Sequence, residues 1–217
     1  EIEVCGNGID DDCSGDANAC GVIGGAISDI ADVAWQSTDD TNGAGRAVAT
    51  AGDVDGDGFE DLIVGALWDD VGGSSAGAAY LVYGAASPAG GALETDTLVA
   101  TGDASDDGLG QFVAGAGDVN GDGYSDVLIG AELADAAWLV YGAATAVTGT
   151  YDISLLAGLS ITADGGDGFG EVVGLGDMDG DGYDDFGVGA TYGEADAGAV
   201  YLWYGSASAS GATTPAS

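Results

Sequence analysis

DVDGDGFED, from Asp53 to Asp61, returns as DVNGDGYSD from Asp118 to Asp126 and as DMDGDGYDD from Asp177 to Asp185. Each nonapeptide places an oxygen-bearing side chain at positions 1, 3, 5 and 9. Glycine at positions 4 and 6 lets the backbone turn sharply inward, and position 7 can offer a carbonyl. A hard cation such as Ca2+ takes roughly six to eight carboxylate and carbonyl oxygens, and this spacing wraps a short loop around one. The side-chain ligands predicted for the first loop are Asp53, Asp55, Asp57 and Asp61, with Phe59 giving its carbonyl. The second set is Asp118, Asn120, Asp122 and Asp126 with Tyr124, and the third is Asp177, Asp179, Asp181 and Asp185 with Tyr183. Asn120 lowers the charge of the second site and should weaken it slightly. A solvated Asp/Gly turn is the alternative for any single copy, since Asp-Gly and Asn-Gly are common turn dipeptides. Three copies with the same donor positions favour the cage.

An EF-hand loop needs a bidentate Glu at position 12, where this chain has Val64, Ile129 or Val188, so that reading fails. The loops run instead into DLIVGA, DVLIGA and DFGVGA, short β-branched runs closed by glycine, without apolar residues at helical period. Each loop feeds a strand.

The chain has 38 acidic residues against one basic residue, Arg46, for a formal charge of −37. Self-repulsion on that scale opposes compactness unless counter-ions offset it, so folding is expected to follow calcium binding. Nucleic acid and anionic membrane surfaces are excluded as partners, because both are bound through Lys and Arg. Disorder is disfavoured by the 46% of apolar residues, which are grouped in strand-like runs. No apolar run approaches the roughly 18 to 20 residues of a membrane helix, so no membrane insertion is expected. The start at Glu1, with no Met and no signal-peptide pattern, reads as a processed mature form or an excerpt.

Cys5, Cys13 and Cys20 stand close together in EVCGNGIDDDCSGDANAC. A disulfide-pinned acidic turn is the favoured reading and a zinc site the alternative; the gaps do not match CxxC pairs, and the chain has no His. An odd count leaves one thiol over. Disulfides and calcium sites together point to an extracellular or cell-surface location.

With the loops aligned, the rest of the chain falls into register. Before each loop stands a glycine-led phrase: GAGRAVATAGD from Gly43, GLGQFVAGAGD from Gly108 and GFGEVVGLGD from Gly168. After each comes the DLIVGA-type run and then YLVYG, WLVYG or YLWYG, ending at Gly84, Gly142 and Gly205. A fourth apolar segment precedes each unit: ISDIADVAW, TDTLVA and LLAGLSIT. Four short strands in a unit of this length is the arithmetic of a β-propeller blade. The expected organisation is a Cys/Asp-rich segment over 1–21, three repeats within 22–207 (about 26–86, 92–145 and 151–206) and a Ser/Thr/Ala tail over 208–217. The tail reads as a connector, or as a disordered or O-glycosylated linker.

These units resemble FG-GAP repeats, the blades of the integrin α-subunit propeller and of many bacterial surface proteins. The resemblance implies an all-β fold of three propeller-type blades, each of four antiparallel strands, with a calcium loop joining adjacent strands of a blade. The name-giving dipeptide is intact as Phe169-Gly170 and becomes Leu109-Gly110 and Ala44-Gly45 in the other units. GAP becomes Gly65-Ala66-Leu67, Gly130-Ala131-Glu132 and Gly189-Ala190-Thr191. The segment CGNGIDDDCSGD resembles a Cys- and Asp-rich metal-binding motif of secreted bacterial surface proteins.

The family usually closes a ring of seven blades, and three cannot close one. An open row leaves two faces and their edges uncovered, which invites association into a homo-oligomer or polymer. Without His or Lys, and with one Arg, the chain lacks the usual catalytic bases and anion clamps, so no enzymatic activity is expected. The acid pairs Asp39/Asp40, Asp69/Asp70 and Asp106/Asp107 read as solvated turns or extra cation ligands rather than as a glycosidase dyad. Trp138 and Trp203 read as core, and Trp68 as the better candidate for surface contact. Two functions follow. The first is a calcium-stiffened structural or adhesive module, with about three calcium sites, that associates with itself. The alternative is an excerpt of a larger propeller that recognises a protein or glycan ligand.

Overall fold

The computed structural model describes residues 32–163, 165–193 and 197–208, and the backbone of 211–213. The chain divides into two compact units, residues 1–35 and 36–217. Only 32–35 of the first are described, so Cys5, Cys13 and Cys20 lie outside the described residues, as does the tail from 214 onward.

In the second unit each β-branched run becomes a strand and each acidic nonapeptide the turn before it. The first repeat pairs β1 (Ala47–Gly52), β2 (Asp61–Ala66), β3 (Ala78–Val82) and β4 (Leu98–Thr101) antiparallel in sequence order. The second pairs β5 (Phe112–Gly117), β6 (Asp126–Ala131) and β7 (Ala136–Val140) and, after an excursion through β8 (Gly149–Asp152), adds β9 (Leu159–Thr162) beside β7. The third pairs β10 (Phe169–Gly176), β11 (Asp185–Ala190) and β12 (Ala199–Trp203). The acidic loop thus joins the first two strands of each sheet. Just before it a register shift falls at Gly52, Gly117 and Gly176, whose φ values of 79°, 76° and 67° suit a glycine bulge that bends the strand into the loop.

The all-β reading holds; among the described residues the helical turns are a 3-10 turn at Glu132–Ala134 and α1 (Ile153–Leu156), where Asp152 caps by accepting from Ser154 N. The strand count per blade differs from expectation. The first two sheets have five strands, because β8 adds parallel to β4 and β13 (Gly211–Thr213) adds parallel to β9. Among the described residues the third sheet has three. The fourth strand also belongs elsewhere than its sequence position suggests: β4 and β9 precede the second and third repeats but complete the sheets of the first and second. LLAGLSIT is accordingly not one strand, since its leading leucines close α1 and only Leu159–Thr162 pairs.

The sheets stack through two apolar cores. One joins Ile63, Ala79, Leu81 and Leu98 of the first sheet to Val127, Ile129, Trp138 and Val140 of the second. The other joins Leu128, Ala137, Leu139 and Ile161 of the second to Phe169, Phe186 and Val188 of the third. Residues of alternate parity on one sheet therefore serve opposite cores, as the twofold period of a strand requires. Register makes Ala49–Ile63–Leu81, Ala114–Leu128–Leu139 and Val173–Gly187–Leu202 equivalent rows. The first two rows meet the next sheet, and Gly65 and Gly130 allow the contact: a Cβ on either would come within 1.9 Å or 1.8 Å of the carbonyl oxygen of Gly110 or Gly170. Among the described residues no ring closes.

Leu139→Ala is expected to cost about 2–5 kcal/mol. Leu202→Ala, at the equivalent but uncovered position, should change stability by no more than about 0.5 kcal/mol in dilute protein. Thermal melts of the two variants check this; equal losses would contradict the stacking order.

Candidate metal centre

Each acidic loop is first a hydrogen-bonded turn. The position-1 carboxylate accepts from the backbone ahead of it: Asp53 from Asp57 N (3.1 Å) and Gly58 N (3.0 Å), Asp118 from Gly121, Asp122 and Gly123 N, and Asp177 from Gly180, Asp181 and Gly182 N. Position 3 accepts from the position-5 amide in all three loops, through Asp55, Asn120 and Asp179. Position 5 accepts from the position-7 amide, through Asp57, Asp122 and Asp181. Oxygens at positions 1, 3 and 9 are thereby drawn together: Asp53, Asp55 and Asp61, and likewise Asp177, Asp179 and Asp185, each place a carboxylate oxygen within 4.8 Å of the other two. The second loop repeats these hydrogen bonds with the amide Asn120 at position 3. Asp57 and Asp181 lie outside those carboxylate groups.

Position 9 has a role that ligand spacing alone does not reveal. Asp61, Asp126 and Asp185 are buried, and each carboxylate holds two backbone amides. One oxygen accepts from the loop's second residue: Val54 (2.8 Å), Val119 (2.9 Å) or Met178 (2.8 Å). The other accepts from the glycine after the third strand: Gly84 (2.7 Å), Gly142 (2.9 Å) or Gly205 (2.8 Å). The sequence signal was the glycine closing YLVYG, WLVYG and YLWYG. A Cβ on Gly84, Gly142 or Gly205 would press within 2.4–2.5 Å of the position-8 carbonyl of Glu60, Ser125 or Asp184.

Burial sets the electrostatics. It pushes the Asp61 carboxyl above the usual range, against the Gly84 and Val54 amides and with the Asp55 and Asp53 charges adding to the rise. It pushes Asp126 to about 7, against the Gly142 and Val119 amides, with Asp122 and Asp118 adding. The one guanidinium, Arg46, lies 5.5 Å from the centre of the Trp68 ring. Crowded carboxylates without basic neighbours form a hard-oxygen donor set that fits a divalent cation.

The loops also join the sheets. Ser125 N donates to Asp53 O (3.0 Å) and Asp184 N to Asp118 O (3.1 Å), while Ala143 N and Ser206 N reach Val54 O and Val119 O, both at 2.9 Å. The Asp184 carboxylate also accepts from Asp118 N. The position-7 rings belong to the same seam: Tyr124 lies against Gly56 and Tyr183 against Gly121, so tightly that a Cβ on either glycine would overlap the ring.

The acid pairs named from sequence serve turns. Asp39 accepts from the Thr41 amide and hydroxyl, which lower its pKa, and Asp70 accepts from Ser75 N. Asp69 is buried and accepts from Tyr80 Oη (2.7 Å) and Asn42 Nδ2 (3.2 Å). Asp107 accepts from Ala104 N, and burial beside Asp103 raises its pKa. Trp138 is buried between sheets, Trp203 stacks on Phe186 at 5.5 Å, and Trp68 is exposed beneath Arg46.

Stacked antiparallel sheets with an acidic loop at the same turn of each define a propeller-type repeat protein. The FG-GAP repeat family matches residues 44–82, 109–151 and 169–203, together more than half of the chain, and the chain belongs to this family. FG-GAP repeats build integrin-like β-propellers, typically non-catalytic, and occur in extracellular and surface proteins. Among the described residues no helix is long and apolar enough to cross a membrane.

Asp126→Ala strands two buried amides and should destabilise the protein by about 1–3 kcal/mol for each, read from the denaturant midpoint in chelator. The pH dependence follows from the raised pKa. The folded state holds the Asp126 proton more tightly than the unfolded chain, so this contribution is complete below about pH 4 and lost as pH rises through about 7. In chelator the melting temperature should therefore fall between about pH 5 and pH 8, and fall less in Asp126→Asn; parallel profiles would contradict the assignment.

Proposed function

We propose that the three loops bind Ca2+ and that the protein is a non-catalytic, extracellular structural or adhesive module, stiffened by calcium, which associates with copies of itself. The observation that carries this reading is that crowded carboxylates sit on the same loops whose backbone carbonyls hold the next sheet. Side-chain ligands come from Asp53, Asp55, Asp57 and Asp61 in the first loop, Asp118, Asn120, Asp122 and Asp126 in the second, and Asp177, Asp179, Asp181 and Asp185 in the third. Phe59, Tyr124 and Tyr183 give their carbonyls. A carboxylate with two amide partners keeps free lone pairs, so position 9 can clamp the loop and face the ion together.

A divalent ion here relieves repulsion within each cluster and lowers the cost of burying Asp126 in its charged form. It also fixes positions 1 and 2 of the loop, whose carbonyls receive the neighbouring sheet. Binding energy at a loop therefore becomes cohesion between sheets. Calcium at the concentrations found outside cells suits such sites, and the family's occurrence in surface proteins supports the location.

Calorimetric titration should find about three sites, with the Asn120 loop weakest. Chelation should lower the melting temperature, because each site contributes on the order of RT ln(1+[L]/Kd), about 2.7 kcal/mol at a hundredfold excess over Kd. Asp53→Asn with Asp55→Asn should remove one site and its share of that shift. Heat-free titrations and melts indifferent to chelator would reject the reading.

A further inference from the structure

The third sheet keeps every device by which the first two receive a neighbour, yet among the described residues nothing is received. At loop position 2, Val54 and Val119 are 5% and 0% exposed, whereas Met178 is 57% exposed. On the third strand, Ala79 and Leu81 are 2% and 3% exposed and Ala137 and Leu139 fully buried, whereas Val200 and Leu202 are 72% and 48% exposed. The glycines tell the same story. Gly56 and Gly121 each lie against the next repeat's tyrosine, but the equivalent Gly180 has no atom within 4 Å of where its Cβ would stand. Gly65 and Gly130 abut the next repeat's Gly110 and Gly170, but Gly189 meets only Glu171 of its own sheet.

The opposite end of the row shows the matching vacancies. Phe59 holds the loop position of Tyr124 and Tyr183, and it is an exposed ring. Val48 holds the strand position of Val113 and Val172 and is exposed. Gly45 is the counterpart of Gly110 and Gly170, and nothing lies within 4 Å of its Cβ position. Tyr80 and Val99, on the outer half of that face, are already buried, which confines the available surface to the inner strand and the loop.

We propose that a second copy of this chain docks head to tail on the third sheet. Its Phe59 ring would lie on Gly180, its Gly45 against Gly189 and its Val48 over the row of Val173 and Leu202, repeating the loop and inner-strand part of the contact between neighbouring sheets. Thr50 carries a side chain where Gly115 and Gly174 admit none, so the copies would meet at a wider spacing along that strand. The surface used by one copy is not the surface used by the other, so the contact is heterologous and open-ended. This rests on the self-association proposed above and names its two surfaces. Each copy carries −37, so salt and calcium should both promote the contact.

The test uses two surface variants of the full chain, with sedimentation and light scattering in calcium up to the limit of solubility. The wild type is expected to grow with concentration beyond twice 20.9 kDa. Val173→Asp with Leu202→Asp blocks the receiving face, and Val48→Asp with Thr50→Asp, both exposed on β1 and outside the metal ligands, blocks the inserting face. Each double variant alone should stay monomeric, and an equal mixture should form a one-to-one pair that grows no further. Circular dichroism and the calcium-induced melting shift of each variant establish that fold and metal binding are intact, so failure of docking and failure of the calcium reading are read separately. A wild type that stays monomeric, a mixture that does not pair, or a single variant that still self-associates would each overturn the proposal.

Discussion

The structure depends on carboxylates crowded beyond what their own charges favour. Three oxygens within 4.8 Å of one another, in a chain with a single guanidinium placed elsewhere, repel one another unless something positive stands between them. The loops that impose this crowding are also the ones that hold the sheets together. Asp53 O and Val54 O receive amides from the second repeat, and Asp118 O and Val119 O receive them from the third. A cation that compensated the charge at a loop would therefore act on the cohesion between sheets as well.

The buried position-9 aspartates make the coupling three-way. Asp61, Asp126 and Asp185 each tie the loop's second residue to the glycine that ends the third strand, so the loop, the hairpin it closes and the far strand of the sheet share one carboxylate. An ion touching that carboxylate would act on all three. The arrangement suits a protein with little apolar bulk per residue, where alanines and glycines fill much of the space between sheets and the polar seam contributes what larger side chains would otherwise supply.

The loops and the three strands nearest each of them were legible in sequence, because ligand spacing and β-branched runs are local patterns repeated three times. What sequence left open depended on distant partners. The clamp role of Asp126 requires Gly142, sixteen residues on, and the aromatic at position 7 acts on a glycine of the preceding repeat. The membership of β4 and β9 could not be read from order along the chain, since each completes the sheet before it. Gly149–Asp152 escaped notice because GTYD has no apolar alternation; it is held by backbone pairing to β4 at an exposed edge. The inter-repeat seam itself had a visible trace, the glycines at fixed offsets, whose meaning emerged only when the next repeat was placed against them.

Amide hydrogen exchange with calcium and with chelator tests the coupling most directly. The loop amides of Gly58, Gly123 and Gly182 report on the cages, and those of Ser125 and Asp184 report on the seams between sheets. The account predicts that both sets gain protection together as calcium is added and lose it together on chelation. Seam amides that stay equally protected in chelator, or loop amides that respond while the seams do not, would contradict it.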